Sequence, residues 1–280
     1  MSGFSPEWLA LREMADHRAR SSDLTGKLAA DFATRDLVRV MDLGCGTGSN
    51  FRALAPHLGI KQDWILVDEN TDLLSHAQHV LRDWADYAEG GSKGLTLYHG
   101  EQIIRVYFLS HDLSAGLEPL LSDPCDLITA SALCDLVSAD WIKGLASTLA
   151  LRQIPFFAVL TYDGRIQWFP PHSQDQAVLE AFNTHQKGNK GFGSASGPEA
   201  AELLVRAFSD QGYLCETADS AWIINRSDEA ALMQALGEGI AEAASQINTG
   251  QNLSNWREAL AERRSVLIGH LDFYGRPVTR

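Results

Sequence analysis

The chain has 280 residues, of which 45% are apolar and 21% charged, so it can bury a sizeable core and is not disordered over most of its length. Its formal net charge is -13 and it contains no dense basic stretch, which disfavours a large nucleic-acid substrate. No apolar run approaches the roughly 20 residues of a membrane span, and the N-terminus lacks the pattern of a secretory signal.

The pattern of the chain alternates between helix and strand. Apolar residues at helical spacing predict an N-terminal helical cap over residues 1–36. Further helices are predicted at 49–57, 72–84, 141–151, 198–211, 229–246 and 256–268. Strands are predicted at 37–43, 64–68, 95–98, 103–110, 125–130, 155–162, 165–169, 213–216 and 221–225. Such alternation is typical of a doubly wound α/β fold, in which helices cover both faces of a mostly parallel sheet.

Two segments in the second half have distinct patterns. Asp163-Gly164 is a tight-turn signal and predicts a hairpin that returns over Arg165–Phe169. Residues 170–197 are polar and glycine-rich, which predicts an irregular lid over a substrate. One domain is expected over 37–226, followed by a C-terminal helical extension over 227–280 that could add an edge strand.

Cysteine usage points to a reducing environment. The four cysteines form no C-x-x-C pair, so neither a zinc site nor a disulfide framework is predicted. We therefore expect a cytoplasmic protein without a metal ion.

Three glycines follow the first predicted strand. In a doubly wound sheet, ligands bind at the carboxyl ends of the strands, where the strand order reverses. Gly44, Gly46 and Gly48 lie there and would let a ligand approach the backbone and the N–H groups of the next helix. A dinucleotide site has its third glycine at offset 5, where this chain has Ser49. A glycine pattern of this kind can also be a tight strand–helix turn without a ligand.

The segment Val40-Met41-Asp42-Leu43-Gly44-Cys45-Gly46-Thr47-Gly48 resembles the first motif of class I S-adenosylmethionine-dependent methyltransferases. The resemblance extends over roughly residues 38–225, and it implies a seven-stranded, Rossmann-like sheet with S-adenosylmethionine as cofactor. It also implies that Asp42 orients the turn and the methionine amino group, while Asp68 accepts both ribose hydroxyls. The cofactor-binding residues expected on this basis are Asp42, Gly44, Cys45, Gly46, Asp68, Glu69, Asp112, Leu113 and Ser131, with Arg20 for the methionine carboxylate.

Some of these residues have simpler explanations. Asp112 could be only a helix N-cap, and Arg20 could lie on an ordinary amphipathic helix with its charge in water. Cys45 is expected to be a packed small residue and not a nucleophile, because no histidine or lysine is fixed beside it.

The resemblance implies methyl transfer by direct in-line displacement at the sulfonium. No Asp/Asn-Pro-Pro-Tyr follows the fourth predicted strand, which weakens the case for a DNA base or a protein glutamine as acceptor. We expect a small, polar or acidic metabolite, and no nucleic acid or membrane as partner; no oligomeric state is predicted. The expected catalytic residues are His185 and Tyr162, and the expected substrate-binding residues are His172, Asn183, His185 and Lys190.

Two other functions stay open at this stage. A methyltransferase-like domain could bind the cofactor, or nothing, and serve as a scaffold, because no catalytic base is identifiable. A nicotinamide oxidoreductase is disfavoured by the glycine offsets.

Overall fold

The computed structural model describes residues 4–91, 93–247 and 252–278. Within them, all strands belong to one mixed sheet of ten strands. The strands are β1 Val38–Leu43, β2 Lys61–Asp68, β3 Tyr87–Gly91, β4 Gly94–His99, β5 Gln102–Ser110, β6 Leu127–Ser131, β7 Phe156–Phe169, β8 Tyr213–Asp219, β9 Trp222–Asn225 and β10 Ser265–Pro277.

The strand order is β3-β4-β5-β2-β1-β6-β7-β10-β8, and β9 pairs with β10. The central strands β5, β2, β1, β6 and β7 are all parallel, and Leu43 of β1 lies between Val67 of β2 and Ala130 of β6. The chain runs outwards from β1 in one direction to β2 and in the other to β6. The order therefore reverses beside the carboxyl end of β1, which is where a doubly wound sheet binds its ligands.

Helices cover both faces of this sheet. Residues of β1 alternate between two buried apolar clusters: Val38 and Val40 belong to one, and Met41 and Leu43 to the other. The doubly wound α/β fold is thus confirmed. The helices are α1 Pro6–Ala19, α2 Ser22–Phe32, α3 Ser49–Leu54, α4 Thr71–Trp84, α5 Ala139–Arg152, α6 Asp175–Gln186, α7 Ala200–Asp210, α8 Arg226–Ile247 and α9 Ser254–Glu258.

Two predictions differ from the structure in the C-terminal segment. The sheet has ten strands, where seven were expected, and residues 265–277 form a strand, where a helical extension was expected. β10 is inserted between β7 and β8, and it pairs with β7 from Ser265 opposite Phe169 to Gly275 opposite Phe156. It is an internal strand of the sheet, not an edge strand. The predicted helix at 256–268 ends early because the apolar residues after Arg264 find a partner strand from distant sequence. The additional strands also include β3, which extends the other edge by a hairpin with β4.

The prediction of a hairpin at Asp163-Gly164 is also wrong. β7 continues through this position, and β10 pairs with it on both sides. The turn signal is accommodated as an irregularity within the strand pair: Gly164 has a φ of 90°, and the register shifts near His270. The Asp163 carboxylate accepts a hydrogen bond from Arg165 Nε at 2.7 Å.

The segment 170–197 is only partly irregular, because α6 occupies its first half and packs against α8. The fully buried Arg263 guanidinium holds the N-terminal end of α6 through Asp175, with Nη2 2.6 Å from Oδ1. Residues 187–197 are irregular, and their role as a lid stays a prediction. In the described part of the chain, no helix has both the length and the apolar character to cross a membrane.

Candidate active site

A cavity of about 430 Å³ lies at the carboxyl ends of the central strands. Its floor is made by the residues that follow β1, β2, β5 and β6, and α1 and the segment 187–197 close over it. Of the residues predicted to bind a ligand, those that line this cavity are Gly44, Cys45, Gly46, Asp68, Glu69, Leu113, Ser131 and Lys190.

The glycine turn forms one wall of the cavity. Gly44, Gly46 and Gly48 all have positive φ angles, of 65°, 53° and 76°. A Cβ atom on Gly46 would lie 3.1 Å from Leu9 of α1, and one on Gly48 would lie 2.7 Å from Leu81 of α4. Glycine is therefore required both by the backbone conformation and by the close packing of the two helices. As a result, the bare backbone of the turn faces the cavity.

Asp68 joins the turn to the end of β2. Its Oδ2 accepts a hydrogen bond from the Gly46 amide and its Oδ1 accepts one from the Asn70 amide, each at 2.9 Å. Each carboxylate oxygen has two lone pairs, so both oxygens can still accept a hydroxyl from a ligand. The neighbouring Glu69 is exposed at the cavity rim.

Asp42 does not line the cavity but lies fully buried beneath the turn. Its Oδ1 accepts a 2.6 Å hydrogen bond from Asn50 Nδ2, and its Oδ2 has no partner in the described structure. Burial raises the pKa of Asp42 to about 7. Arg20 is also outside the lining and donates to Asn50 Oδ1 at 2.8 Å. Asp42 and Arg20 thus reach the cavity only through Asn50, which does line it.

Asp112 is exposed and lies outside the cavity lining. It caps a short 3₁₀ turn, accepting a 2.8 Å hydrogen bond from the Ser114 amide. Hydrogen bonds from the Ser114 hydroxyl and amide lower the pKa of Asp112. In the structure Asp112 is thus a cap, as the simpler explanation proposed. His111 and Leu113, on either side of it, line the cavity.

An ion pair on α1 lines the cavity. Arg12 donates to both carboxylate oxygens of Asp16, at 2.9 and 3.0 Å, and both residues are buried. The Arg12 guanidinium also lies 4.9 Å from the ring of Trp222. In the sequence, an Arg–Asp pair at i,i+4 is indistinguishable from a solvent-exposed helix pair. Only the packing of α1 over the glycine turn shows that the pair faces the cavity.

The two expected catalytic residues both lie away from the cavity lining. The Tyr162 hydroxyl donates to Asn183 Oδ1 at 2.7 Å, and Asn183 Nδ2 donates to the Gly164 carbonyl at 3.0 Å. Burial raises the pKa of Tyr162. His185 lies on α6 with its Nε2 3.2 Å from Oε1 of Gln246 on α8, and burial lowers the pKa of His185. The contacts of Tyr162 therefore join β7 to α6, and the contact of His185 joins α6 to α8.

Of the four expected substrate-binding residues, three lie outside the cavity lining and one lies in it. His172 lies outside the lining, and its Nδ1 accepts a 3.2 Å hydrogen bond from the Gln174 amide. Asn183 and His185 are also outside, and only Lys190 lines the cavity. No group of histidine, cysteine or acidic residues among the described residues could hold a metal ion.

Of the remaining lining residues, the resemblance places His111, Ala132 and Leu133 beside the cofactor and Arg12 on a helix that closes over it, and sequence reasoning missed the others. Most of them follow a predicted strand end within a few residues, which is the signal that could have identified them. The missed residues are Phe4, Leu9, Asp16, Thr47, Ser49, Asn50, Asn70, Thr71, Leu73, Leu136 and Phe192.

Comparison with known proteins finds similarity at the level of the fold. No family model matches the chain, and no curated protein matches it either. Several solved structures superpose with TM-scores above 0.5, including the following three. The cyclopropane synthase MmaA2 from Mycobacterium tuberculosis has a TM-score of 0.53 at 10% identity, covering 98% of this chain and 94% of its own. YcgJ from Bacillus subtilis has 0.52 at 16% identity, covering 93% and 100%.

The third structure is a candidate methyltransferase from Bacillus halodurans, with a TM-score of 0.51 at 13% identity, covering 92% of this chain and 100% of its own. These matches, together with the strand order, show that the chain has the fold of class I S-adenosylmethionine-dependent methyltransferases.

Proposed function

We propose that the protein is a methyltransferase that uses S-adenosylmethionine and acts on a small, polar or acidic metabolite. One observation carries the proposal: the glycine turn after β1 is hydrogen-bonded to Asp68 at the end of β2, and both face one cavity. Bare backbone beside a carboxylate with free acceptor capacity suits an amino-acid group joined to a ribose. The fold supports the same conclusion.

The residues of the cavity fit the three parts of this cofactor. Asp68 would accept the ribose hydroxyls, and Leu73 and Leu113 offer apolar surface for the adenine. At the other end, Arg12 and Asp16 present opposite charges side by side, which complements the zwitterionic methionine end. In this proposal Arg12 replaces Arg20 as the partner of the methionine carboxylate, because Arg12 lines the cavity and Arg20 does not.

Bound S-adenosylmethionine would supply an electrophilic methyl group. The protein's own part is to orient the acceptor and to exclude water, and orientation alone can lower a barrier by several kcal/mol. α1 contributes to this by closing over the turn, where Leu9 packs against Gly46. A base would be needed only for an acceptor that arrives protonated.

The substrate class rests on charge and space. The formal net charge of -13 disfavours a polyanionic macromolecule, and a cavity of about 430 Å³ leaves room for little beyond the cofactor and a small acceptor. The cytoplasmic location expected from the cysteines stays a prediction.

One observation favours a second function, a cofactor-binding domain without transferase activity. Neither His185 nor Tyr162 lines the cavity, so the catalytic residues expected from the sequence are not at the site. Methyl-labelled S-adenosylmethionine, incubated with the protein and a low-molecular-weight metabolite extract, separates the two functions. Label transferred to a metabolite supports the enzyme, whereas tight cofactor binding with no transfer supports the binding domain.

Calorimetric titration with S-adenosylmethionine tests the site itself. We expect Asp68→Asn to weaken binding by at least about tenfold, because the ribose loses a charged acceptor. Asp63→Asn is the matched control: it lies on the same strand, is paired with Arg105 and is outside the cavity lining. Absence of binding by the wild type, or equal binding by the Asp68 and Asp63 variants, would contradict the proposal.

A further inference from the structure

Lys190 is placed at the β6 end of the cavity. The strand ends follow one another across the site in the order β5, β2, β1 and β6. With the ribose at β2 and the methionine at β1, the β6 end is left for the acceptor. The segment that carries Lys190 is held there, because the Ser196 amide donates to the Val137 carbonyl and the Gly197 amide donates to the Asp135 carbonyl, both at 2.8 Å.

The charge of Lys190 is not neutralised by contact. Of the described residues that line the cavity, only Arg12 and Lys190 carry a full positive charge. Arg12 is paired with Asp16, whereas Lys190 makes no hydrogen bond or ion pair with any described residue. Partial burial lowers the pKa of Lys190, and the Asp135 carboxylate opposes this from beyond contact distance. A half-buried ammonium without a partner has a desolvation cost that an anionic ligand would offset.

Several lining side chains at the β6 end of the cavity are apolar, although the Asp135 carboxylate lies behind them. Leu133 and Leu136 follow β6, and Phe192 lies two residues after Lys190 with its ring 5.9 Å from that of Trp141. A ligand here would therefore place a charged end at Lys190 and an apolar body against these side chains. One lysine balances one negative charge, which matches a carboxylate better than a doubly charged phosphate.

We propose that Lys190 is the specificity-determining residue that binds a carboxylate of the methyl acceptor, and that Phe192, Leu133 and Leu136 hold the apolar body of the same molecule. This inference rests on the proposed function, because it assumes that the cofactor occupies the β1 and β2 ends of the cavity. It specifies the acceptor further, as a monocarboxylate with an apolar skeleton.

Calorimetry on the protein saturated with S-adenosylhomocysteine tests this inference with defined probes. Benzoate and hexanoate are titrated beside their uncharged counterparts benzamide and hexanamide. We expect at least one carboxylate to bind about tenfold or more tightly than its amide, as one charge-assisted hydrogen bond provides. In Lys190→Gln this preference should fall below about twofold, and Lys190→Arg should restore most of it.

Lys187→Gln is the control on the same segment, since Lys187 is exposed, pairs with Glu199 at 2.6 Å and does not line the cavity. It should keep the wild-type preference. Carboxylates that bind no better than amides, or a preference that survives in Lys190→Gln, would overturn the inference. So would carboxylate binding only when S-adenosylhomocysteine is absent, because Lys190 would then serve the methionine carboxylate. The titration with S-adenosylhomocysteine comes first, so failure of the proposed function is seen separately as failure of that step.

Discussion

The ion pair on α1 provides the sharpest prediction about cofactor binding. S-adenosylhomocysteine and 5′-methylthioadenosine share the adenosine and the sulfur, but only the first carries the amino-acid end. If Arg12 and Asp16 bind that end, replacing both should weaken S-adenosylhomocysteine and leave 5′-methylthioadenosine unaffected. The difference between the two ligands thus isolates the contribution of the pair.

The expected magnitude follows from the hydrogen bonds that the pair has left to offer. Arg12 uses Nε and one N–H of Nη2 on Asp16, so Nη1 stays available to a carboxylate. One charge-assisted hydrogen bond contributes about 1.5–3 kcal/mol, which corresponds to roughly a 10- to 150-fold loss of affinity. Removing only one partner would leave a buried charge uncompensated, at a cost of about 3–5 kcal/mol of stability. The double variant Arg12→Met/Asp16→Met avoids this, because a buried pair can be replaced by apolar side chains at little cost.

The assay is calorimetric titration of wild type and double variant with both ligands, after circular dichroism has confirmed folding. Arg18→Met serves as the control, because Arg18 lies on the same helix, pairs with Glu229 and does not line the cavity. Equal losses for the two ligands in the double variant, or no loss for either, would refute the assignment of the methionine end to α1.

Three further predictions concern stability. Burial raises the pKa of Asp42 from 3.8 to about 7, so its contribution to stability is fully present below pH 4 and is lost as the pH rises through 7. The free energy of unfolding of the wild type relative to Asp42→Asn should therefore fall by up to about 4 kcal/mol between pH 4 and pH 8, as measured by urea unfolding. Gly48→Ala should lower the free energy of unfolding by about 1–3 kcal/mol, because the backbone has a φ of 76° at this position and the new Cβ would lie 2.7 Å from Leu81 of α4. Tyr162→Phe should lose about 1 kcal/mol with its hydrogen bond to Asn183, yet bind S-adenosylhomocysteine like the wild type.

Each of these predictions has an outcome that contradicts it. Parallel pH profiles for the wild type and Asp42→Asn would show that burial does not perturb this carboxyl. Gly144→Ala is the control for Gly48→Ala: it lies in α5 with no atom within 4 Å of the added Cβ, and it should stabilise by about 0.5–1 kcal/mol. Equal effects at the two glycines would contradict the steric argument. A loss of S-adenosylhomocysteine affinity in Tyr162→Phe would show that Tyr162 contributes to ligand binding.

Local sequence patterns predicted the centre of the fold. The strand before Gly44, the glycine turn and Asp68 at the end of the next strand all lie where they were expected. They could be predicted because a buried parallel strand appears as a short apolar run, and because parallel strands bring their carboxyl ends to one edge. Most of the cavity floor follows from this rule.

Long-range packing decided the rest. Residues 265–277 form an internal strand because they pair with β7 on one side and with β8 on the other, and the local sequence of none of these strands indicates this pairing. Asp42 and Asp112 were both expected at the ligand, but one is buried beneath the turn and the other caps a 3₁₀ turn. The chemistry of a carboxyl group is visible in the sequence. Whether it faces a cavity, a backbone amide or the protein interior depends on neighbours that come together only when the chain folds.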